Sequence, residues 1–349
     1  MNYCEKKGGS FFPGYRGKSL HFLCWIYYLT LDLNSSFLLH KVTVVVFVII
    51  INILHIIILW QKSVEQSSIF RIMQYVALMD ILSNLYYIEQ EIDSFTDLLA
   101  PLCRSSGTNM TFTVLNIIFG AIRNYSRRCS TWLSFSIVLI RTLVLKYPMN
   151  STISKLSNIK TANYVLLGVL IFCLPIQILE CFKYEIIRNP NYESQSKLDV
   201  DCRVDNDNFV FKMHSYADGI VSKLIPCILF PVSTYFLMRE IRKAEIRQKK
   251  MMSSSMQNNF GRTSKLVLYL TLTFFVAEFP LGIVFLLNPS VFDDEVFGPY
   301  AIVTSIEGIL MLILSATTAT HMIICVFMSS QYRETTLLVV RFGYPWKVK

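Results

Sequence analysis

At 349 residues the chain is long enough for two soluble domains, but 53% of it is hydrophobic and only 16% charged, with a mean hydropathy of +0.45. An ordinary soluble domain is about one quarter charged and spaces its apolar residues with a helical or alternating period. Here they fall in long blocks, which excludes a soluble protein and points to one membrane-embedded domain. The net charge of +9 calls for no nucleic-acid partner, because the basic residues collect on the loops of one membrane face, beside anionic lipid.

In chain order, Lys6, Lys7, Arg16 and Lys18 precede the apolar run Leu20 to Leu31. That run is too short to span and has the basic flanks of a signal peptide, without a clear small-residue cleavage site after it. A spanning helix needs about 20 mostly apolar residues. Val42 to Trp60 meets this with no charge, and Ile72 to Ile88 carries only Asp80. Val114 to Ile140 is apolar except for Arg123, Asn124, Arg127 and Arg128, polar enough to be overlooked in a hydropathy profile. Thr161 to Leu179 carries no charge, Gly219 to Met238 carries Lys223, and Leu266 to Leu287 carries Glu278. Gly308 to Met328 has His321 as its ionisable side chain.

Seven spans put alternate loops on opposite sides, and the basic residues then gather on one of them. Arg239, Arg242, Lys243, Arg247, Lys249, Lys250, Arg262 and Lys265 crowd one loop against Glu240 and Glu245, and that loop could also touch a cytosolic partner. Lys146, Lys155 and Lys160 lie on the same side with no acid among them, whereas the Asp293-Asp294-Glu295 loop opposite is acidic. Six spans would violate the rule. The expected fold is therefore an all-α integral membrane protein, a bundle of seven transmembrane helices with the N-terminus outside and the C-terminus inside. Its expected parts are an extracellular segment (1–36), the membrane domain (37–335) and a short cytoplasmic tail (336–349).

Sequons at Asn34 and Asn109 fall on the outer side, where glycosylation is expected. Asn150-Ser-Thr fits the same pattern but falls on the inner side. Of the nine cysteines most lie in or near spans, so a disulfide scaffold is not indicated. Cys103 and Cys202 are in outer loops, where a bridge would persist and would tie the Lys183 to Lys212 loop to the third helix. Two unpaired thiols are the alternative there.

Ionisable groups within a bilayer are costly and tend to mark function or face a polar cavity. Asp80, Arg123, Arg127, Arg128, Arg141, Glu278, Glu307 and His321 are such groups. With Asn52 in the first span, Asp80 in the second, Arg141 at the inner end of the third, Pro148 seven residues later and Pro280 in the sixth, the chain resembles the rhodopsin-like G-protein-coupled receptors. "IRTLVLKYPMNS", "TSKLVLYLTLTFFVAEFPLGI" and "THMIICVFMSSQYR" are similar to the nematode serpentine receptors of class W, which are related to receptors for FMRFamide-like peptides. The resemblance covers roughly residues 38 to 335.

The resemblance implies a plasma-membrane receptor that binds an extracellular ligand and activates a heterotrimeric G protein. The ligand would be a short peptide or an environmental small molecule. Arg141, Pro148, Pro280, His321 and Tyr332 would serve coupling and activation, with Arg141 reaching the G protein in the active state and Pro280 the hinge of the sixth helix. Asn52, Asp80, Ser130, Thr317 and Thr318 match a polar core that holds sodium in many relatives. His321 is expected to hydrogen-bond Asp80 and to disfavour sodium. The acid usually found before the arginine is Ile140 and the tyrosine after it is Thr142, so the ionic restraint on Arg141 is missing. The tryptophan position two before Pro280 holds Glu278.

Arg123 stands where amine receptors keep an aspartate, which argues for a ligand carboxylate, amide carbonyl or other acceptor. Arg127 lies one turn further in, aligned across the cavity with Glu278, and the two are expected to pair; Arg123, Arg127 and Glu278 form the expected ligand-binding set. A membrane transporter or channel is the alternative class, but the internal repeats or broken helices in matching halves that it would show are not found. No catalytic motif, metal-ligand spacing or phosphate loop is present, so neither enzyme activity nor a cofactor is expected.

Overall fold

The computed structural model describes residues 4, 11–61, 67–103, 106–147, 150–182, 184–188, 200–204, 209–251, 275–287, 297–328 and 330–341. The bundle comprises α1 (Lys18–Leu59), α2 (Ser68–Cys103), α3 (Ser106–Lys146) and α4 (Ile159–Cys181). It continues with α5, which runs as Phe209–Ala217, a π-helical turn Asp218–Leu224 and Ile225–Met251. Residues 275–287 are the described part of α6. α7 is Phe297–Thr318, resumed as Thr320–Met328, and α8 is Ser330–Val340.

His40–Leu59, Val114–Lys146, Ile159–Cys181, Phe209–Lys243 and Gly298–Phe327 are each long and apolar enough to cross a membrane, and Phe275–Leu287 is a shorter apolar helix. α2 is less apolar because Arg71, Asp80, Glu89 and Glu91 dilute it, yet it packs against α1, α3 and α4. Its Ile72, Val76 and Met79 join Cys129, Leu133, Ile137 and Ile140 of α3 and Ala162, Val169 and Cys173 of α4 in the largest apolar core. Outward-facing residues are apolar too: Ile50 and Ile53 of α1, Leu167, Ile171 and Ile178 of α4, and Ile228 and Val232 of α5 are exposed. Asp80, Glu180 and Glu278 are instead buried. Apolar surface outside and charge inside suit a lipid solvent, where burying Leu against Leu brings little gain and polar groups must find partners within the bundle.

α1 spans 42 residues, about 60 Å of helix, roughly twice the hydrocarbon thickness. The run Leu20 to Leu31 is thus the outer part of a continuous helix, and the expected boundary at residue 36 falls within it. A disulfide joins Cys4 to Cys24, a pairing that sequence alone did not suggest. Phe11 and Phe12 pack with Tyr27 of α1 against Ala301 and Ile302 of α7. Gly298 makes this contact possible: a Cβ there would lie 2.5 Å from the Phe11 carbonyl oxygen and 2.6 Å from the Phe12 ring.

Between α4 and α5 the expected all-helical pattern gives way to an antiparallel hairpin, β1 (Tyr184–Arg188) with β2 (Val200–Val204), in which Ile186 faces Cys202. β2 lies on α3. α4 begins with the Asn158 side chain accepting the Lys160 N–H, a regular N-cap. On the same inner side Ser68 Oγ donates to the Leu156 carbonyl at 2.7 Å, fixing the loop to α2.

Local sequence also explains the two irregular helices. Around Ala319 the hydroxyls of Thr317, Thr318 and Thr320 donate to the carbonyls of Leu314, Ser315 and Thr317, a side-chain alternative to the helix ladder that breaks α7. The π-turn of α5 carries Gly219 opposite Phe285, and Gly282 of α6 faces Lys223, with 3.0 Å between a Cβ at Gly282 and the Lys223 Cβ. These two glycines let α5 and α6 approach closely enough for their side chains to interleave.

Candidate functional site

Arg127 and Arg128 are neighbours on α3, and because successive helical residues point about 100° apart they serve different partners. Arg127 donates to Ser315 Oγ of α7 at 3.1 Å and lies 3.8 Å from Asp80 Oδ1 of α2. Arg128 turns the other way, 2.7 Å from Glu180 of α4, 2.6 Å from Gln177 and 3.6 Å from Asp218 of α5. Asn124 donates a short hydrogen bond to the same Glu180, and His214 Nε2 of α5 is 3.7 Å from it. Ser222 donates to Asp218 at 2.7 Å, within the π-turn. Lys223, on that turn, reaches Glu278 of α6 at 2.9 Å, and Thr131 of α3 donates to the other Glu278 oxygen at 3.3 Å. A layer of buried charge therefore links α2, α3, α4, α5, α6 and α7.

This layer corrects two expectations. Arg127 and Glu278 do not pair: each has a different partner, because the π-turn and the close glycine contact bring Lys223 to Glu278 first. Asp80 Oδ1 accepts from Ser130 at 2.6 Å and has Arg127 as its cation, and it makes no hydrogen bond to His321 among the described residues. Its Oδ2 is buried without a hydrogen-bond donor. Of the remaining polar core, Asn52 donates to Thr318 at 3.3 Å and to the Val48 carbonyl. Thr317 is turned to its own helix.

Above the layer, on the outer side, α1, α2, α3 and α7 enclose a cavity of about 580 Å³. Arg123 opens into it, its guanidinium 4.2 Å from the Tyr86 ring and 5.9 Å from that of Tyr87. Lys41 lies 4.8 Å from the Tyr87 ring and donates to Gln90 at 2.8 Å. Glu307 stands on the α7 wall, with Thr304 and Tyr300. Beneath the cavity, a void of about 10 Å³ lies beside Asn124, Arg127, Arg128 and Lys223 of the charged layer, and Tyr87, Arg123 and Met311 line both spaces. Asn34, the expected glycan acceptor, is half-buried on the cavity wall, its amide oxygen 3.1 Å from where a Cβ of Gly308 would stand. Among the described residues there is no group of three His, Cys, Asp or Glu side chains placed to hold a metal ion.

At the inner end Arg141 is half-buried on α3, with Cys325 of α7 as its electrostatic neighbour. No described carboxylate forms an ion pair with it. Ile140, where related receptors keep an acid, is packed in the main core, and Thr142 donates to the Val138 carbonyl. Tyr332 of α8 is fully buried and shares a 2.6 Å hydrogen bond with His55 Nδ1 of α1. Burial, with Cys325 adding to it, raises the Tyr332 phenol above the ordinary tyrosine range, so it keeps its proton. Pro280 lies inside the described part of α6, where it leaves the Val276 carbonyl without its helical donor. Pro148 lies outside the described residues, as do the side chains of Cys103 and Cys202, the expected bridge, and of Asn109, the expected outer glycan acceptor.

Lys41, His55, Glu180, His214, Asp218 and Lys223 belong to this architecture but were not singled out from sequence as site residues. Glu180 and Asp218 sit at the edges of their apolar blocks, where a charge reads as the end of a span. A lone Lys223 inside a span was the signal that could have found the α5–α6 pair.

Among the described residues, long apolar helices packed around a buried charged layer form the bundle of a multi-pass membrane protein. Residues 39–343 match the family of the serpentine type 7TM GPCR chemoreceptor Srw, and the chain belongs to that family. It is accordingly a G-protein-coupled chemoreceptor of the plasma membrane. No curated protein matches the chain.

Proposed function

We propose that this receptor binds an extracellular ligand, a short peptide or an environmental small molecule, in the outer cavity and activates a heterotrimeric G protein by opening its inner end. The observation that carries the reading is the wall shared by cavity and charged layer: Arg123 lines the cavity and the void beneath it, and the layer ends on Glu278, two residues before Pro280 in α6. Ligand contact at Arg123 can then change the pairing that holds α5 to α6, favouring the state in which α6 moves. Arg141, unpaired with any described acid, is the side chain offered to the G protein. Cys103–Cys202 would steady the hairpin against α3, Asn109 would carry a glycan and Pro148 would shape the inner loop.

A calcium readout in cells expressing the chain with a promiscuous G protein tests this, using short peptides and small odorants after surface display is confirmed. A dose-dependent response that Arg141→Ala abolishes without loss of display supports the reading. A ligand-evoked current that persists when G-protein coupling is blocked would instead make the protein a channel.

A further inference from the structure

The charge and donor geometry of the outer cavity narrow its ligand. We propose that it receives a compact molecule bearing a carboxylate, held jointly by Lys41 and Arg123; this rests on the receptor reading above and specifies the chemistry of that same cavity.

Lys41 and Arg123 bring two positive charges to the wall and Glu307 one negative, so the lining carries a net positive charge. Both cations sit over the Tyr87 ring, at 4.8 and 5.9 Å, and Arg123 also stacks on Tyr86. Contact with aromatic faces stabilises a cation, yet it leaves the N–H groups at its edge unused. The Arg123 Nε donates to Asn124 Oδ1 at 3.2 Å, and its terminal N–H groups have no acceptor among the described residues. Lys41 spends one donor on Gln90, which is fixed in turn by donating to the Tyr86 hydroxyl at 2.6 Å. Tyrosines and amide thus hold two like charges near one ring before any ligand arrives.

That arrangement selects for charge. An amine would add a third cation. An amide would supply an acceptor but no charge to join that of Glu307, and of Glu91 near Lys41, in offsetting the two cations. A carboxylate adds that charge and accepts from both groups, through charge-assisted bonds roughly twice as strong as neutral ones. Phe37, Met311 and Leu312 offer apolar surface to the rest of the molecule. The contact also has a route inward. Arg123 is tied to Asn124, Asn124 to Glu180, and Glu180 to Arg128, which faces Asp218 on the π-turn of α5. Drawing Arg123 toward a ligand anion releases Asn124 Oδ1, so the amide that donates to Glu180 is free to reorient.

The test is thermal unfolding of the purified full-length receptor in detergent with millimolar benzoate, benzamide or benzylamine at matched ionic strength. Benzoate is expected to raise Tm by about 3 °C, with the other two well below it. Lys41→Gln and Arg123→Gln each remove the benzoate shift, and Arg123→Lys keeps part of it. Equal shifts from benzamide or benzylamine, no shift from benzoate, or a benzoate shift that survives in both Gln variants would overturn the proposal. Should the variants fail to fold, the comparison of the three probes on the unaltered chain decides. The measurement involves no G protein, so its failure leaves the receptor reading to the Arg141 experiment.

Discussion

Lys223 Nζ lies 2.9 Å from Glu278 Oε2, a buried pair that joins the π-turn of α5 to α6 two residues before Pro280. Neither charge has water to return to, so removing one partner leaves the other stranded, at about 3–5 kcal/mol. Lys223→Met or Glu278→Leu should each sharply lower the Tm and surface display of the receptor. The double variant should recover most of the loss, since an apolar pair of similar volume needs no compensation. A loss in the double variant equal to the sum of the two single losses would show that the two charges act separately.

Arg127 is held by Asp80 and Ser315, at 3.8 and 3.1 Å, and Glu278 is held elsewhere. A double-mutant cycle of Arg127→Met with Asp80→Asn should therefore show coupling above about 0.5 kcal/mol, and one with Glu278→Gln should be nearly additive. With a guanidinium already beside Asp80, adding sodium at constant ionic strength should leave agonist affinity unchanged.

The outer cap depends on Gly298 and on the Cys4–Cys24 bridge. Gly298→Ala forces a methyl against the Phe11 carbonyl and the Phe12 ring, an overpacking worth about 1–3 kcal/mol. Tm should fall accordingly, and the purified receptor should be cut earlier by protease within its first residues. Gly168→Ala, where an added methyl meets nothing within 4 Å, is the control and should change neither.

Asn34 faces the cavity between α1 and α7, so a glycan there would occupy the space assigned to ligand. Asn34→Gln should leave the electrophoretic mobility of the receptor unchanged before and after glycosidase treatment. A shift lost in this variant would place sugar on Asn34 and put the cavity out of use.

Tyr332→Phe deletes the hydroxyl bonded to His55. Loss of one buried hydrogen bond costs about 1–2 kcal/mol when a partner is left behind, and His55 Nε2 already lacks one. The variant should lower Tm modestly and reduce ligand-evoked signalling, because α8 is then less firmly held to α1.

Much of the architecture was legible because bilayer thickness imposes a length and lipid imposes a composition. Val42 to Trp60 and Thr161 to Leu179 announce themselves in this way, and the structure brings Ser130 to Asp80 and Asn52 to Thr318 among the polar groups of the spans. Pairing of the buried charges was not legible. Arg127 and Arg128 differ by one residue and serve opposite sides of the bundle, which depends on the rotation of α3 against its neighbours. Lys223 reaches Glu278 through a π-turn that adds a residue to the helix, and no hydrophobic period reports that.

The amino-acid sequence by itself determined that the chain crosses a membrane seven times, which way it faces, and that several ionisable groups must lie within it. Those properties follow from the cost of putting charge and backbone into hydrocarbon, which each segment meets alone. Only the tertiary structure decided which charge answers which, that the N-terminal segment is stapled across the outer end of α7, and that Asn34 points into a cavity. These depend on where separate helices stand relative to one another, set by contacts such as Gly282 on Lys223 that join residues far apart in the chain.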